Sequence, residues 1–205
     1  MSDTIAHHDE HRDDEASKLG MWLFIFTELL LFGGLFIVYS MYRYLHPTAF
    51  HLAAKELNLT VGTLNTVILL VSSMTIAMST TAIQKKDKRT TLILIGITLV
   101  LALVFLVNKY FEWSLKISHG LYPGSPLLEE LGKGDTLFYG LYYFMTGLHA
   151  LHIIVGMVFL SWVFVYVWKD KLTFDNFQLL ENGGLYWHLV DVIWIFLFPL
   201  FYLIT

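Results

Sequence analysis

The chain has 205 residues, 56% hydrophobic and 16% aromatic, with a mean hydropathy of +0.61. That is too apolar for a soluble domain of this size. The formal net charge of -4 says little about a chain lying mostly in lipid, and the absence of cysteine excludes disulfides, thiolate metal sites and thiol catalysis.

Residues 1–17 carry six acids and three histidines and read as a solvated polar tail. No signal peptide is expected, because the first apolar run is too long and lacks a small-residue cleavage site. His7, His8 and His11 are metal-ligand types, but no ordered partner ligands accompany them. Residues 18–205 form the expected membrane domain. Its spans are predicted at about 19–44, 60–83, 90–113, 136–168 and 184–205, which makes an all-α bundle of five transmembrane helices. In the first span Trp22, Tyr39, Tyr42 and Tyr44 suit the interfacial belts. Glu28 lies nine residues past Leu19, roughly 14 Å into the helix, near mid-membrane. An acid there costs at least about 2.5 kcal/mol unless it is protonated, paired or hydrated. Gly33 and Gly34 permit close approach of another helix.

His46-Pro47 ends the first helix, and a polar loop follows to about Leu59. In the second span Asn65, Ser72 and Ser79 recur every seven residues, with Ser73 and Thr75 beside them. Such a stripe reads as a helix–helix seam, with a substrate or ion path as the alternative. Gln84 to Arg89 form a tight basic loop. Lys109 and Glu112 end the third span on one face and can pair near the interface. Ser114 to Asp135 read as a loop rich in turn formers. Lys169 to Glu181 form the last loop.

Five spans place the termini on opposite sides. Arg12, Lys18, Lys85, Lys86, Lys88, Arg89, Lys169 and Lys171 share one side; Arg43, Lys55, Lys109, Lys116 and Lys133 share the other. The positive-inside rule then puts the N-terminus in the cytoplasm and the C-terminus outside. The basic cluster is a short membrane-side loop, so nucleic-acid binding is not expected.

The ionisable groups within the spans are Glu28, Glu112, His149, His152, His188 and Asp191, with Lys109. His149 and His152 are i, i+3 on one face and are ligand types for copper, iron or zinc. One such pair cannot reach both sides of a haem ring, and structural hydrogen bonding is the favoured reading. His188 and Asp191 are also i, i+3, at a spacing that suits an imidazole-to-carboxylate bond, with a proton relay as the alternative. Trp187 and Trp194 border the same stripe and read as a packing seam. Glu28 has the weakest purely structural explanation; a protonatable group affecting proton movement or lipid binding is the alternative. No redox centre can be assembled from these residues alone.

Four stretches together, LGMWLFIFTELLLFGGLF, KYFEW followed by GLYPG, TGLHALHIIVGM and YWHLVDVIWIFLFPLFYL, resemble subunit III of haem-copper cytochrome c oxidases. The match runs in order over nearly all of residues 18–205. The resemblance implies a subunit with no catalytic centre, metal or cofactor of its own, packed in a complex whose subunits I and II hold haem and copper. It implies the reaction of that complex, in which cytochrome c is oxidised, oxygen is reduced to water and protons are pumped. It further implies that the chain stabilises subunit I, supports proton uptake and holds membrane phospholipid in a cleft. Glu28 matches the family's carbodiimide-reactive glutamate, and His149, His152, Glu112, His188 and Asp191 match its recurrent polar positions.

Longer members of that family have seven spans, and this chain starts at what looks like the third. One wall of the lipid cleft is therefore expected to come from another subunit. The short form points to a bacterial plasma membrane. Quinol oxidases and nitric oxide reductase-associated relatives are the alternatives. They tend to carry aspartate at the Glu28 position, so Glu28 and the KYFEW…GLYPG segment favour the cytochrome c branch. A small transporter is a remote alternative, since neither inverted repeats nor broken helices are evident.

Overall fold

Lipid offers no hydrogen-bond partner to a backbone, so long apolar runs close their polar groups within helices. The structure, a computed structural model, describes residues 2–172 and 177–203, with the side chains of residues 2–15 and 129 outside the description. The three tail histidines are among these. Seven helices follow in order: α1 (Ser2–Leu45), α2 (Pro47–Lys55), α3 (Leu59–Gln84), α4 (Lys88–Ser118), α5 (Pro126–Leu131), α6 (Lys133–Trp168) and α7 (Gln178–Tyr202). Among the described residues there is no strand. Five segments are long and apolar enough to cross a membrane: Ala16–Leu45, Leu59–Gln84, Lys88–Ser118, Lys133–Trp168 and Gln178–Tyr202. The chain is an all-α, multi-pass membrane protein, as expected.

The loops differ from expectation. Pro47 does not only end the first helix; it opens α2 at the first helical position, where a missing N–H costs nothing. The segment expected as one loop from Ser114 to Asp135 holds the last turn of α4, all of α5 and the start of α6. The basic loop shrinks to a turn of three residues, because Asp87 caps α4 and draws the helix start back to Lys88. The Asp87 carboxylate accepts from the Thr90 hydroxyl at 2.5 Å and the Thr90 amide at 3.1 Å, and those bonds hold its pKa below the usual carboxylate value.

α3 and α4 make the most extensive contact, α7 packs against α3 and α6, and α1 lies outermost against α7 and α6. The membrane window of α7 is 56% buried and that of α1 only 11%, so α7 is the central helix and α1 the peripheral one. Close approach is set at Gly156 of α6, where an added Cβ would lie 2.9 Å from the rings of Trp187 and Tyr186. Gly33 and Gly34, expected to serve that purpose, have nothing within 4 Å of such a Cβ, because α1 turns that side away from its neighbours.

At the α2 end, four buried rings join α1, α2, α6 and α7. Tyr39 meets Phe50 at 5.3 Å and Phe201 at 5.0 Å, both edge to face, and Phe138 meets Phe50 at 5.4 Å. Tyr39 also donates to the Leu200 carbonyl at 2.6 Å, in the last turn of α7 where carbonyls lack helical partners. Tyr39 is thus a core residue rather than an interfacial belt residue. At the opposite end, Lys88 reaches Asp170 at 2.6 Å and the Trp168 carbonyl at 2.9 Å, joining the α3–α4 turn to the α6–α7 connection. That pair is well exposed, at 41% and 72%, and contributes at most about 1 kcal/mol.

Gly156→Leu is expected to destabilise the bundle by roughly 1–3 kcal/mol through overpacking against Trp187 and Tyr186. Gly33→Ala should not, since it faces open space. Thermal unfolding of both variants in detergent checks the contrast.

Candidate functional site

Four of the expected residues fall into two hydrogen-bonded groups, and three, His149, His188 and Asp191, stand apart from both. The first group is open to the periphery. Glu28 on α1 meets His152 on α6, with Oε2 to Nε2 at 3.0 Å and side chains 15% and 13% exposed. The other ring nitrogen of His152, Nδ1, lies 2.7 Å from the Leu148 carbonyl. A carbonyl only accepts, so Nδ1 carries a proton. The Nε2···Oε2 contact then requires one further proton between those two atoms. Either a carboxylic acid donates to imidazole or imidazolium donates to carboxylate. Both states are neutral overall, which removes the cost of a lone mid-membrane charge. Phe32 meets the His152 ring edge-on at 5.5 Å, and the Tyr186 hydroxyl donates to the His152 carbonyl at 2.9 Å. The pairing of Glu28 with His152 crosses 124 residues of sequence.

The second group is closed. Lys109 Nζ donates to Glu112 Oε2 at 3.1 Å, to the Tyr142 hydroxyl at 3.1 Å and to the Tyr202 hydroxyl at 3.0 Å. Its three N–H groups are all used. The two tyrosines donate in turn to Glu112 Oε1, at 2.7 Å and 2.5 Å. The ammonium also stands 5.4 Å from the centre of the Trp194 ring. The expected i, i+3 pair forms, but it is buried in the bundle rather than wetted at an edge. Sequence reasoning missed Tyr142 and Tyr202. The available signal was the pair itself, since a buried ion pair needs further donors and acceptors to saturate it.

His149 and His152 do not converge. The His149 ring stacks on Trp194 at 5.2 Å and meets Phe105 edge-on at 5.8 Å. Neither of its nitrogens has a hydrogen-bond partner among the described residues, so the expected hydrogen-bonding role is replaced by aromatic packing. His188 does not bond Asp191. Its Nδ1 lies 2.7 Å from Ser73 Oγ of α3, and the Asp191 oxygens, buried beside the same serine, have no hydrogen-bond partner among the described residues. The helix places the two side chains one turn apart, but α3 supplies a nearer hydroxyl.

The polar stripe of α3 is the expected seam. Ser72 Oγ accepts from Trp187 Nε1 at 3.0 Å, and Thr66 Oγ1 accepts from Trp194 Nε1 at 3.0 Å. Asn65 Oδ1 accepts from Asn108 at 2.9 Å, and Thr75 and Thr98 share a bond of 2.8 Å. Among the described residues no group of three or more His, Cys, Asp or Glu side chains gathers as a metal-holding cluster.

A family model described as cytochrome c oxidase subunit III matches residues 2–205. The chain is similar to a cytochrome c oxidase subunit 3 of Thermostichus vulcanus, at 33% identity covering 98% of this chain and 92% of that protein. It is similar to a heme-copper oxidase subunit I+III of Aeropyrum pernix, at 30% identity covering 91% of this chain and 22% of that protein. It is also similar to a cytochrome bo(3) ubiquinol oxidase subunit 3 of Pseudomonas aeruginosa, at 26% identity covering 97% and 91%.

Lys109→Met leaves Glu112 buried without its cation and should cost about 3–5 kcal/mol. Adding Glu112→Leu should recover much of that loss. Denaturant unfolding of the single and double variants in micelles measures the coupling.

Proposed function

Since the chain belongs to the cytochrome c oxidase subunit III family, we infer that it is an accessory subunit III of a haem-copper oxidase. The chemistry of such a complex is oxidoreduction. We place the haem and copper in subunits I and II, beside which this chain packs without a catalytic centre of its own. The I+III name of the Aeropyrum pernix relative supports a subunit I neighbour. The function we propose is to stabilise subunit I during turnover and to support proton uptake while cytochrome c is oxidised and oxygen reduced to water. Among the candidate residues, Glu28 with His152 is the proton-handling pair; Glu112, His149, His188 and Asp191 support the bundle around it.

One observation carries this reading: the 3.0 Å contact between Glu28 Oε2 and His152 Nε2, two atoms that need a proton between them. The pair lies near mid-membrane, at the peripheral helix, and is partly open to whatever covers α1. It can hold a proton without holding net charge. Losing that proton leaves a carboxylate against neutral imidazole, so its proton occupancy is coupled to the contact between α1 and α6. We further propose a bacterial plasma membrane, with the N-terminus cytoplasmic and the C-terminus outside, on the distribution of Lys and Arg. Membrane phospholipid is the expected companion on the exposed apolar faces. A quinol-oxidising complex is the second reading, favoured by the similarity to the Pseudomonas aeruginosa protein.

Affinity purification of the tagged chain from its native membranes should bring down a haem-bearing partner that reduces oxygen with reduced cytochrome c. Recovery of the chain without haem would end the oxidase reading, and activity with quinol alone would select the second one. Glu28→Gln should leave assembly unchanged, because glutamine still donates to His152 Nε2, yet shorten the active life of the complex during turnover. An unchanged active life would remove Glu28 from proton handling.

A further inference from the structure

A cavity of about 340 Å³ lies between the α2–α3 junction and the last turns of α4, lined by Glu56 and Asn58 on one side and by Phe111, Glu112, Leu115 and Lys116 on the other. Lys116 is only 6% exposed, and its Nζ makes one hydrogen bond, to the Glu56 carbonyl at 3.1 Å. Two of its three N–H groups have no acceptor among the described residues, and no carboxylate there lies within ion-pair distance of it. Lys109, two turns earlier on the same helix, spends all three of its own on Glu112, Tyr142 and Tyr202. Asn58 adds a second free donor. Its amide oxygen caps α3, accepting from the Thr60 amide at 3.0 Å and the Val61 amide at 3.3 Å, which leaves its NH2 group for a ligand. A desolvated ammonium with unspent donors and no counter-ion calls for an anion.

The lining limits the charge of that anion. Glu56 and Glu112 both border the cavity, and of the two only Glu112 has a cation, Lys109. A dianion would stand against both carboxylates. A single carboxylate brings one charge and two oxygens, enough to accept from Lys116 and Asn58 together. The rim limits what carries it. Phe111 and Leu115, one turn apart on α4, are 60% and 61% exposed. A free hydrated carboxylate leaves them uncovered, whereas a polypeptide laid over them removes water from around the ion pair and strengthens it. We propose that this cavity is a docking site for a partner subunit, which inserts one aspartate or glutamate side chain to pair with Lys116. Phe111 and Leu115 then form the apolar rim that shields the pair. The proposal rests on the oxidase reading, in which the chain packs beside other subunits.

The test places the photo-cross-linker p-benzoylphenylalanine at position 115, an exposed rim position that leaves Lys116 intact, and irradiates the complex purified from native membranes. Mass spectrometry of the digest should find position 115 joined to a peptide of another subunit that carries an aspartate or glutamate. Lys116→Gln should speed loss of that subunit on dilution at least about tenfold, and Lys116→Arg should not. A charge swap completes the test: Lys116→Glu should release the subunit, and replacing the identified acid by lysine in that variant should restore it. If Lys116→Glu does not fold, the cross-link and the Lys116→Arg comparison still decide. Four results would each overturn the site: a link to lipid alone, a link to a second copy of this chain, a linked peptide without an acid, or a swap that restores nothing. A haem-bearing complex with no link at position 115 overturns this site and leaves the oxidase reading standing; recovery of the chain with no partner ends both.

Discussion

Water is missing from the hydrocarbon layer, and the rest of the structure follows from that constraint. A polar atom placed there must find its partner inside the protein. The helices of this bundle are accordingly joined by pairs of side chains rather than by apolar contact alone. α3 is the main supplier. Its hydroxyls and amide accept from Trp187 and Trp194 of α7 and Asn108 of α4, and they meet His188 and Thr98. A helix with lipid-like apolar residues on every face would have no preferred neighbour; α3 has two.

The same constraint separates the two ion-paired groups. Lys109 and Glu112 form a saturated network in which every ammonium proton and both carboxylate oxygens are engaged, with two tyrosines that accept from one partner and donate to the other. Such a network has no spare capacity and suits a structural role joining α4, α6 and α7. Glu28 and His152 make a single side-chain contact, at 3.0 Å, on the bundle's periphery.

Asp191 and His149 depart from the rule of saturation. Each is buried within a few residues of a partner that sequence spacing suggested, and each lacks it. Local periodicity brings residues three apart onto one face, but it cannot rank that neighbour against one from another helix. For His188 the Ser73 hydroxyl won; for His149 the indole of Trp194 did.

The sequence by itself determined the class, the five spans, the polar seam of α3 and the family motifs. Each rests on order along the chain: run length, heptad spacing and the short-range i, i+3 relation of Lys109 to Glu112. It also exposed Glu28 as an acid in need of a partner. Tertiary structure decided who that partner was. His152, Tyr142, Tyr202 and Ser73 sit tens of residues or more from the groups they meet, and no periodicity links them. It also turned Tyr39 inward and left Gly33 and Gly34 without a neighbour. The physical reason is that a helix fixes the direction of its own side chains, whereas the crossing of two helices fixes which of those directions coincide.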